Sequence, residues 1–276
     1  MKRKNDKLLA NNSDISNAQV DFIKKHQNRQ RKNRFYQIII LVAFVGLWEI
    51  TAYAGILNSF IFSSPSRIIK TMTSMASDGE LFYHTGVTLL ETLISFFLVN
   101  FLGVSIGIIL WWNGNIAKIL EPYLVVLNSL PKSALAPLFI VWLGNNMKTI
   151  IVAAVSVAVF GTIITLYSDF KAVEEEKIKL IKTLGGNKKD VLLKVVIPSN
   201  IPSIVSQMKV NIGLSLVGVI IGEFLAAKAG LGYLIIYGSQ VFKLDFVITS
   251  IVILCIVATG LYKILEYLEK KFTRQE

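Results

Sequence analysis

The sequence predicts an all-α, polytopic membrane protein with about six transmembrane helices. Hydrophobic residues make up 53% of its 276 residues and charged residues only 17%, against about 25% charged residues in soluble domains. Several uncharged apolar runs are long enough, at 1.5 Å per residue, to cross a hydrocarbon core of about 30 Å. Lysine and arginine residues crowd the ends of these runs, as cytoplasmic anchors do. We therefore expect a multi-pass protein of the cell membrane.

The composition argues against several classes of function. The net charge of +11 does not indicate nucleic acid binding, because no basic face is interleaved with aromatic residues. The two histidines, His26 and His84, have no cysteine or carboxylate at ligand spacing, so no metal site is predicted. Cys255 is the only cysteine and cannot form an intrachain disulfide. We expect no catalytic residue and no cofactor on this chain.

Residues 1–34 form a polar and basic segment, which we interpret as a cytoplasmic tail. A signal peptide would place its apolar core directly behind the charges, whereas the first long apolar run begins only at Phe35. The transmembrane domain is expected to occupy residues 35–276. Its predicted spans are residues 35–57, 87–112, 119–144, 149–167, 204–227 and 246 to 262 or 265.

Two shorter pieces and two glycine pairs complete this interpretation. Ser64-Pro65-Ser66 is a plausible start for a surface helix whose apolar face contains Ile68, Ile69, Met72 and Met75. Residues 225–245 are expected to form an outer re-entrant or interfacial piece. Glycines spaced four apart predict close helix packing in the second and fifth spans. These pairs are Gly103 with Gly107 and Gly218 with Gly222.

Three acidic residues lie inside or beside the predicted spans, and we expect all three at or near the outer ends. Glu49 is either a functional carboxylate or a charge that reaches water near the interface. Glu91 is either a charge at a helix terminus or a polar partner, and Glu223 ends the fifth span. This distribution argues against a membrane-embedded enzyme, whose acids would face one cavity.

The third span is interrupted by Pro122, Pro131 and Pro137 and carries Lys132 and Ser133 at mid-depth. Irregular backbone and a cation persist there only where they face protein or a water-filled cavity. We predict a discontinuous helix that lines a translocation path, with Pro131, Lys132, Ser133 and Pro137 as its residues. Two alternatives are a simple proline kink with a snorkelling Lys132, and a span that begins later and leaves Lys132 at the inner surface.

A charged but patterned loop, residues 169–202, separates the fourth and fifth spans. Its first helical run ends at Gly185-Gly186, where a left-handed turn costs glycine little, and the second is expected to close at Pro198. Each run has an apolar stripe. These stripes are Ile178, Ile181 and Leu184 in the first run and Val191, Leu192, Val195 and Val196 in the second.

The charge distribution predicts the side of the membrane on which this loop lies. Six spans place both termini on one side, and most of the 29 lysine and arginine residues fall there or in the loop. The positive-inside rule then places both termini and the loop in the cytoplasm.

The loop resembles the coupling motif of the membrane subunits of ATP-binding-cassette importers. That motif reads E-A-A, three residues, G, nine residues, I-x-L-P. Gly185 is followed after nine residues by Val195-Val196-Ile197-Pro198, which matches the second half. Lys179-Leu180-Ile181 stands where E-A-A would be, so the first half departs from the pattern.

Other segments are similar, in the same order, to the nitrate/sulfonate/taurine/bicarbonate branch of these permeases. Glu91 and Ser95 depart from it, since a basic residue and a glycine would be expected there. The similar segments are Ser64-Pro65-Ser66, Leu130-Pro131, Ala134 to Leu138, Trp142-Leu143-Gly144, Gly222-Glu223 and Gly230 to Tyr233.

The resemblance implies a type I (MetI-like) importer permease and its partners. Two copies would pair around a path for a small solute such as nitrate, a sulfonate or taurine. A substrate-binding protein would deliver the solute from outside, and cytoplasmic ATPase subunits would bind ATP and magnesium. The chain has no Walker-type phosphate loop, so the ATPase would be a separate chain. The residues implied for ATPase coupling are Glu175, Leu180, Ile181, Lys182, Thr183, Leu184, Gly185, Val195, Ile197 and Pro198.

Two alternatives to this interpretation stay open, whereas a third, a structural scaffold, is not favoured. The importer could carry an uncharged vitamin precursor of the pyrimidine or riboflavin type, since relatives in the family do so. A self-sufficient secondary carrier would need internal repeats and ionisable groups at mid-membrane, and only Lys132 meets the second requirement. A structural scaffold would not need the proline-broken third span.

Overall fold

The computed structural model describes residues 17–272, and every regular element in that range is helical. The helices are α1 (Asn17–Tyr53), α2 (Ser59–Phe62), α3 (Pro65–Ser77), α4 (Glu80–Trp112), α5 (Gly114–Ser129), α6 (Lys132–Leu143), α7 (Met147–Lys171), α8 (Glu175–Thr183), α9 (Lys188–Val191), a π-helical turn (Leu192–Val196), α10 (Ile197–Ala226), α11 (Leu231–Gln240) and α12 (Leu244–Phe272). The chain divides into two units, and the boundary along the chain falls between Ser66 and Arg67.

The first unit contains α1, α2 and the start of α3. The apolar stretch Arg31–Tyr53 of α1 is long enough to cross a membrane. Glu49 accepts hydrogen bonds from the backbone N–H (3.0 Å) and the hydroxyl group (2.8 Å) of Ser66. This carboxylate therefore satisfies a free N–H in the first turn of α3. Residues 1–16 of the predicted tail lie outside the described residues.

The second unit is built around three long helices, α4, α7 and α10, which pack against one another. Close approach depends on glycine. A Cβ at Gly103 would lie 2.5 Å from Thr162 Cγ2, one at Gly218 would lie 2.6 Å from Ala154 Cα, and one at Gly222 would lie 3.0 Å from Ile150 Cα. Contacts this short leave no room for a side chain, which confirms the close packing predicted from the glycine spacing.

The remaining helices pack around this core. The helix pair α11 and α12 packs on α10 through an apolar cluster that includes Leu216, Leu231 and Leu254, and Met75 of α3 joins it. On another side, α5 packs on α4 and α7 through Leu110, Ala117 and Ile163. The surface helix predicted after Ser64 is thus present as α3. Its Ile68 and Met75 are buried, whereas Ile69 is exposed.

Five described helices are long and apolar enough to cross a membrane, and the bent pair of α5 and α6 makes a sixth. This agrees with the predicted number of spans, but two boundaries were predicted wrongly. The third predicted span, residues 119–144, begins too late, because Asn113 caps α5 and the helix already begins at Gly114. The fifth span does not begin near residue 204, because helical structure runs through Pro198 into α10.

The π-helical turn explains why Pro198 does not end the helix. The backbone N–H of Ile197 bonds to the carbonyl oxygen of Leu192, five residues earlier. Such a widened turn shifts the hydrogen-bond register next to a residue that lacks an N–H. Helical structure consequently continues from Lys188 to Ala226.

The packing of α10 on α7 predicts a difference between two glycines of the same helix. Gly218→Ala should lower stability by about 1–3 kcal/mol, since its new methyl group would meet the backbone of Ala154. Gly213→Ala is the matched control, because a Cβ there meets nothing within 4 Å. Thermal denaturation of the purified variants in detergent measures both. Equal melting temperatures for the two variants would contradict the packing described above.

Candidate functional site

The third predicted span is a broken helix. The axes of α5 and α6 differ in direction by 96°, and the break falls at Leu130-Pro131. Lys132 lies directly after the break, and its Nζ donates to the carbonyl oxygens of Leu127 (2.7 Å) and Asn128 (2.5 Å). These are carbonyl groups in the last turn of α5 that lack an intrahelical partner. The predicted discontinuity is confirmed, and the lysine is what satisfies its free backbone groups.

Only one of the three prolines breaks the helix. Leu130 is extended, as a residue before proline prefers to be, and Pro131 precedes the first turn of α6. Pro122 and Pro137 lie inside α5 and α6 without ending them, so the prediction that they interrupt the span was wrong. Pro131, Ser133 and Pro137 are exposed, and the ammonium group of Lys132 lies 6.0 Å from the Phe160 ring centroid. That these residues line a translocation path stays a prediction.

A second candidate site is the glycine corner between α8 and α9, as the sequence predicts. Gly185 has φ +82°, a left-handed conformation that costs other residues about 1–2 kcal/mol. The N–H of Gly186 donates to the carbonyl oxygen of Ile181 at 2.9 Å and closes the end of α8. Asn187 then caps α9 in a reciprocal pair with Asp190. Two helices are therefore set at a fixed corner.

The two faces of α8 have different environments. Ile178 and Ile181 pack against the apolar cluster that contains Phe170, Val191 and Val196. Leu180 and Leu184 are 61% and 75% exposed. The prediction that Leu184 shares the apolar stripe of Ile178 and Ile181 was therefore wrong. The helix ends at Thr183, and the following turn directs the leucine outward.

The predicted coupling residues divide in the same way. Val195 is buried and Ile197 packs against the cluster below α8, whereas Pro198 is exposed in the first turn of α10. The exposed residues on and beside α8 are Glu175, Leu180, Lys182, Thr183, Leu184 and Gly185.

The corner is also tied to the end of α4. The ammonium group of Lys188 lies over the rings of Trp111 (5.8 Å) and Trp112 (5.4 Å) and donates to the carbonyl oxygen of Trp112. At the other end of the segment, Ser203 donates to Asp169 at 2.5 Å. The exposed face of α8 is thus presented by a segment that is anchored to α4, α7 and α10.

Sequence reasoning missed a buried polar cluster on α4 and α10. Glu91 and Glu223 are 2% and 1% exposed. Glu223 lies in the last turn of α10, as predicted, whereas Glu91 is not at a helix terminus, because α4 already begins at Glu80. Thr88 Oγ1 donates to Glu223 Oε1 at 2.7 Å, and the N–H of Gly232 donates to Glu223 Oε2 at 2.5 Å. The signal was available, because His84, Thr88, Glu91 and Ser95 recur at helical spacing on one face of α4.

A second buried network joins the three core helices. Asn211 of α10 accepts from the hydroxyl group of Thr162 at 2.8 Å and donates to Asn100 Oδ1 at 2.9 Å. Gln207 also donates to Asn211 at 3.1 Å. These bonds join α4, α7 and α10 where a bilayer supplies no water as an alternative partner. No group of three or more potential metal ligands occurs among residues 17–272.

Comparison with known proteins gives a consistent result. Residues 99–273 match the family model described as binding-protein-dependent transport system inner membrane component. A protein of Haemophilus influenzae named as an ABC transporter permease is 27% identical over 85% of this chain and 95% of its own length. A protein of Bacillus subtilis named as an aliphatic sulfonates transport permease is 22% identical over 94% of both chains.

Two further similarities bear on substrate and fold. The formylaminopyrimidine transport permease protein of Halalkalibacterium halodurans is 28% identical over 68% of this chain and 74% of its own. Among solved structures, a chain of the methionine ABC transporter MetNI in an inward facing conformation aligns with a TM-score of 0.58 and 17% identity. It covers 70% of this chain and 94% of that chain. The fold is therefore that of type I importer permeases.

The geometry of the corner predicts the effect of one substitution. Gly185→Ala should destabilise the junction of α8 and α9 by about 1–2 kcal/mol, because alanine is strained at φ +82°. Amide hydrogen exchange in residues 175–191 should rise while exchange in the core of α7 does not change. Gly114→Ala is the control, since a Cβ there meets nothing within 4 Å and its φ is not left-handed. Unchanged exchange in the Gly185 variant would contradict this account of the corner.

Proposed function

The chain belongs to the binding-protein-dependent transport system inner membrane components, and on that premise we propose how this permease subunit moves a small solute and is coupled to an ATPase. The family is that of ABC transporter permeases, which are non-catalytic, multi-pass membrane subunits. We propose that α8 contacts the ATPase and that the break between α5 and α6 lines the translocation path. A second copy of the chain would form the opposite side of this path.

The observation that carries the ATPase contact is the exposed face of α8. Leu180 and Leu184 are large apolar side chains that are 61% and 75% exposed. Their helix is fixed from behind by Ile178 and Ile181. A rigid helix with exposed apolar anchors is suited to a groove on a partner. We propose that the partner is a separate ATPase chain that binds ATP and magnesium, because this sequence has no Walker-type phosphate loop.

The direction of coupling follows from the charge distribution. Lysine residues are frequent in the loop around α8 and α9, which includes Lys177, Lys179, Lys182, Lys188 and Lys189. The positive-inside rule supports a cytoplasmic position for this loop and for both termini. The ATPase would then act from the cytoplasm, and a substrate-binding protein would deliver the solute from the opposite side.

The translocation path is proposed to form between two copies of the chain. The broken helix exposes Pro131, Ser133 and Pro137. Irregular backbone at membrane depth is tolerated only where protein or a water-filled cavity covers it. A second copy that faces this surface would supply such a cover and enclose a path between the two broken helices. We therefore propose a homodimer.

For the substrate we propose a small anion such as a sulfonate, taurine or nitrate. Lys132 supports this choice, because it places a positive charge beside the break in the helix. The relative from Bacillus subtilis is named for aliphatic sulfonates. The relative from Halalkalibacterium halodurans is named for a pyrimidine compound, so an uncharged vitamin precursor is the alternative. Thermal shifts of the partner binding protein with each class of compound would separate the two.

The ATPase contact can be tested with Leu184. Leu184→Ser should abolish co-purification of the ATPase subunit, because the change removes an apolar anchor that is 75% exposed and supports no internal packing. The protein should still insert and keep its melting temperature. Leu193→Ser is the matched control, since Leu193 is also exposed but lies in the π-helical turn beyond the corner.

The outcome also separates an importer from a secondary carrier. Retention of the ATPase by the Leu184 variant would refute the proposed docking face. Uptake by the purified chain in liposomes, with no ATPase present, would favour the carrier.

The choice between anion and uncharged substrate can be tested with Lys132. Lys132→Gln should lower anion uptake at least about tenfold, the effect of about 1.4 kcal/mol of lost attraction. Lys132→Arg should keep most uptake, because the charge and the donors to the carbonyl groups are retained. For an uncharged substrate, both variants should transport equally well in proteoliposomes that contain the ATPase and binding protein. Equal anion uptake by the two variants would therefore count against the anion.

A further inference from the structure

The buried carboxyl groups of Glu91 and Glu223 take no part in the proposed coupling or path. They lie on neighbouring core helices, α4 and α10, and are 2% and 1% exposed. Thr88, which lies one turn before Glu91 on the same face of α4, donates to Glu223 Oε1 at 2.7 Å, so the two carboxyl groups are neighbours. Neither carboxyl group forms an ion pair within residues 17–272. Two acidic groups therefore meet at a site where no cation neutralises them.

A hydrogen bond between two carboxyl groups requires a proton on one of them, since an ionised carboxylate can only accept. Two neighbouring buried negative charges without a cation would also repel strongly. We propose that Glu91 and Glu223 form a proton-binding pair, in which one bound proton holds the two helices and the loop that follows α10 together. The pair then carries a single negative charge.

The partners of Glu223 indicate which residue holds the proton. Glu223 Oε1 accepts from Thr88 and Oε2 accepts from the N–H of Gly232, so both oxygens already accept hydrogen bonds. One oxygen of Glu91, Oε2, is buried without any partner. Glu91 is therefore the protonated donor, and Glu223 is the ionised acceptor.

The charge on Glu223 organises the loop between α10 and α11. Besides the bond from Gly232, the N–H of Leu231 donates to Thr88 Oγ1 at 2.8 Å, and Thr88 in turn donates to Glu223. A Cβ at Gly230 would lie 2.3 Å from Glu223 Oε1, so the loop wraps closely around the carboxylate. Glu223 is thus a positioning residue for this loop.

The other titratable groups near the pair do not supply a positive charge that could take the place of the bound proton. His84 Nδ1 accepts from the N–H of Gly230 at 3.0 Å, which leaves the imidazole in its neutral form with the hydrogen on Nε2. The ring of Tyr233 from α11 stacks on His84. Glu80, one turn earlier on α4, interacts electrostatically with the same histidine. On α12, which packs on α10, the buried polar residues Thr249 and Ser250 are uncharged.

Infrared spectroscopy of the full-length chain in lipid nanodiscs tests the proposal. At neutral pH the wild type should show the carbonyl stretch of a protonated carboxyl group, and Glu91→Gln should remove it. Glu269→Gln should leave it unchanged, because Glu269 forms an ion pair with Lys209 at 2.9 Å. If the Gln variant does not accumulate, Glu91→Asp should shift the band. Absence of the band in the wild type, or its persistence in both Glu91 variants, would overturn the proposal.

Hydrogen exchange separates the roles of the two residues. In Glu91→Gln the amide can still donate to Glu223, so residues 227–232 should stay as protected as in the wild type. In Glu223→Gln the side chain has lost one acceptor oxygen, and protection of Gly232 should fall. Equal loss of protection in both variants would contradict the assignment of donor and acceptor.

Discussion

In the interior of a bilayer the backbone N–H and C=O groups must find their partners within the protein, and the structure depends on this constraint. The three core helices meet through glycines where their backbones touch, at Gly103, Gly218 and Gly222. Some polar side chains that are buried between them bond to one another, as Asn211 does with Thr162 and Asn100. Close backbone contact and paired polar groups together replace the hydrophobic effect, which is weak between helices in lipid.

The same constraint explains the two irregular places in the chain. At the break between α5 and α6, Lys132 bonds the last carbonyl groups of α5. At the corner, Gly185 and Gly186 close α8 while Asn187 and Asp190 cap α9. In each case the helix end is satisfied by residues next to it in sequence. The exposed side chains of α8, Leu180 and Leu184, are therefore not needed to satisfy these helix ends.

Much of the fold could be predicted because it follows from local patterns. Hydropathy gave the number of spans, the spacing of glycines gave the close helix contacts, and the Gly185-Gly186 pair gave the corner. The face that a residue presents was harder to predict. Leu184 follows the end of α8 and is turned outward. The burial of Glu91 and Glu223 was not predicted, because hydropathy reports depth along a helix, whereas burial depends on which helices meet.

The continuous helical run from Lys188 to Ala226 contains 39 residues, which corresponds to a length of about 58 Å at 1.5 Å per residue. No loop within it absorbs a displacement applied at the glycine corner. The places at which this helix can bend lie near one end, because the π-helical turn, Pro198 and Pro202 all fall in its first fifteen residues. The longer remainder is a continuous helix, so a small tilt beside the corner would produce a larger sideways displacement at Glu223.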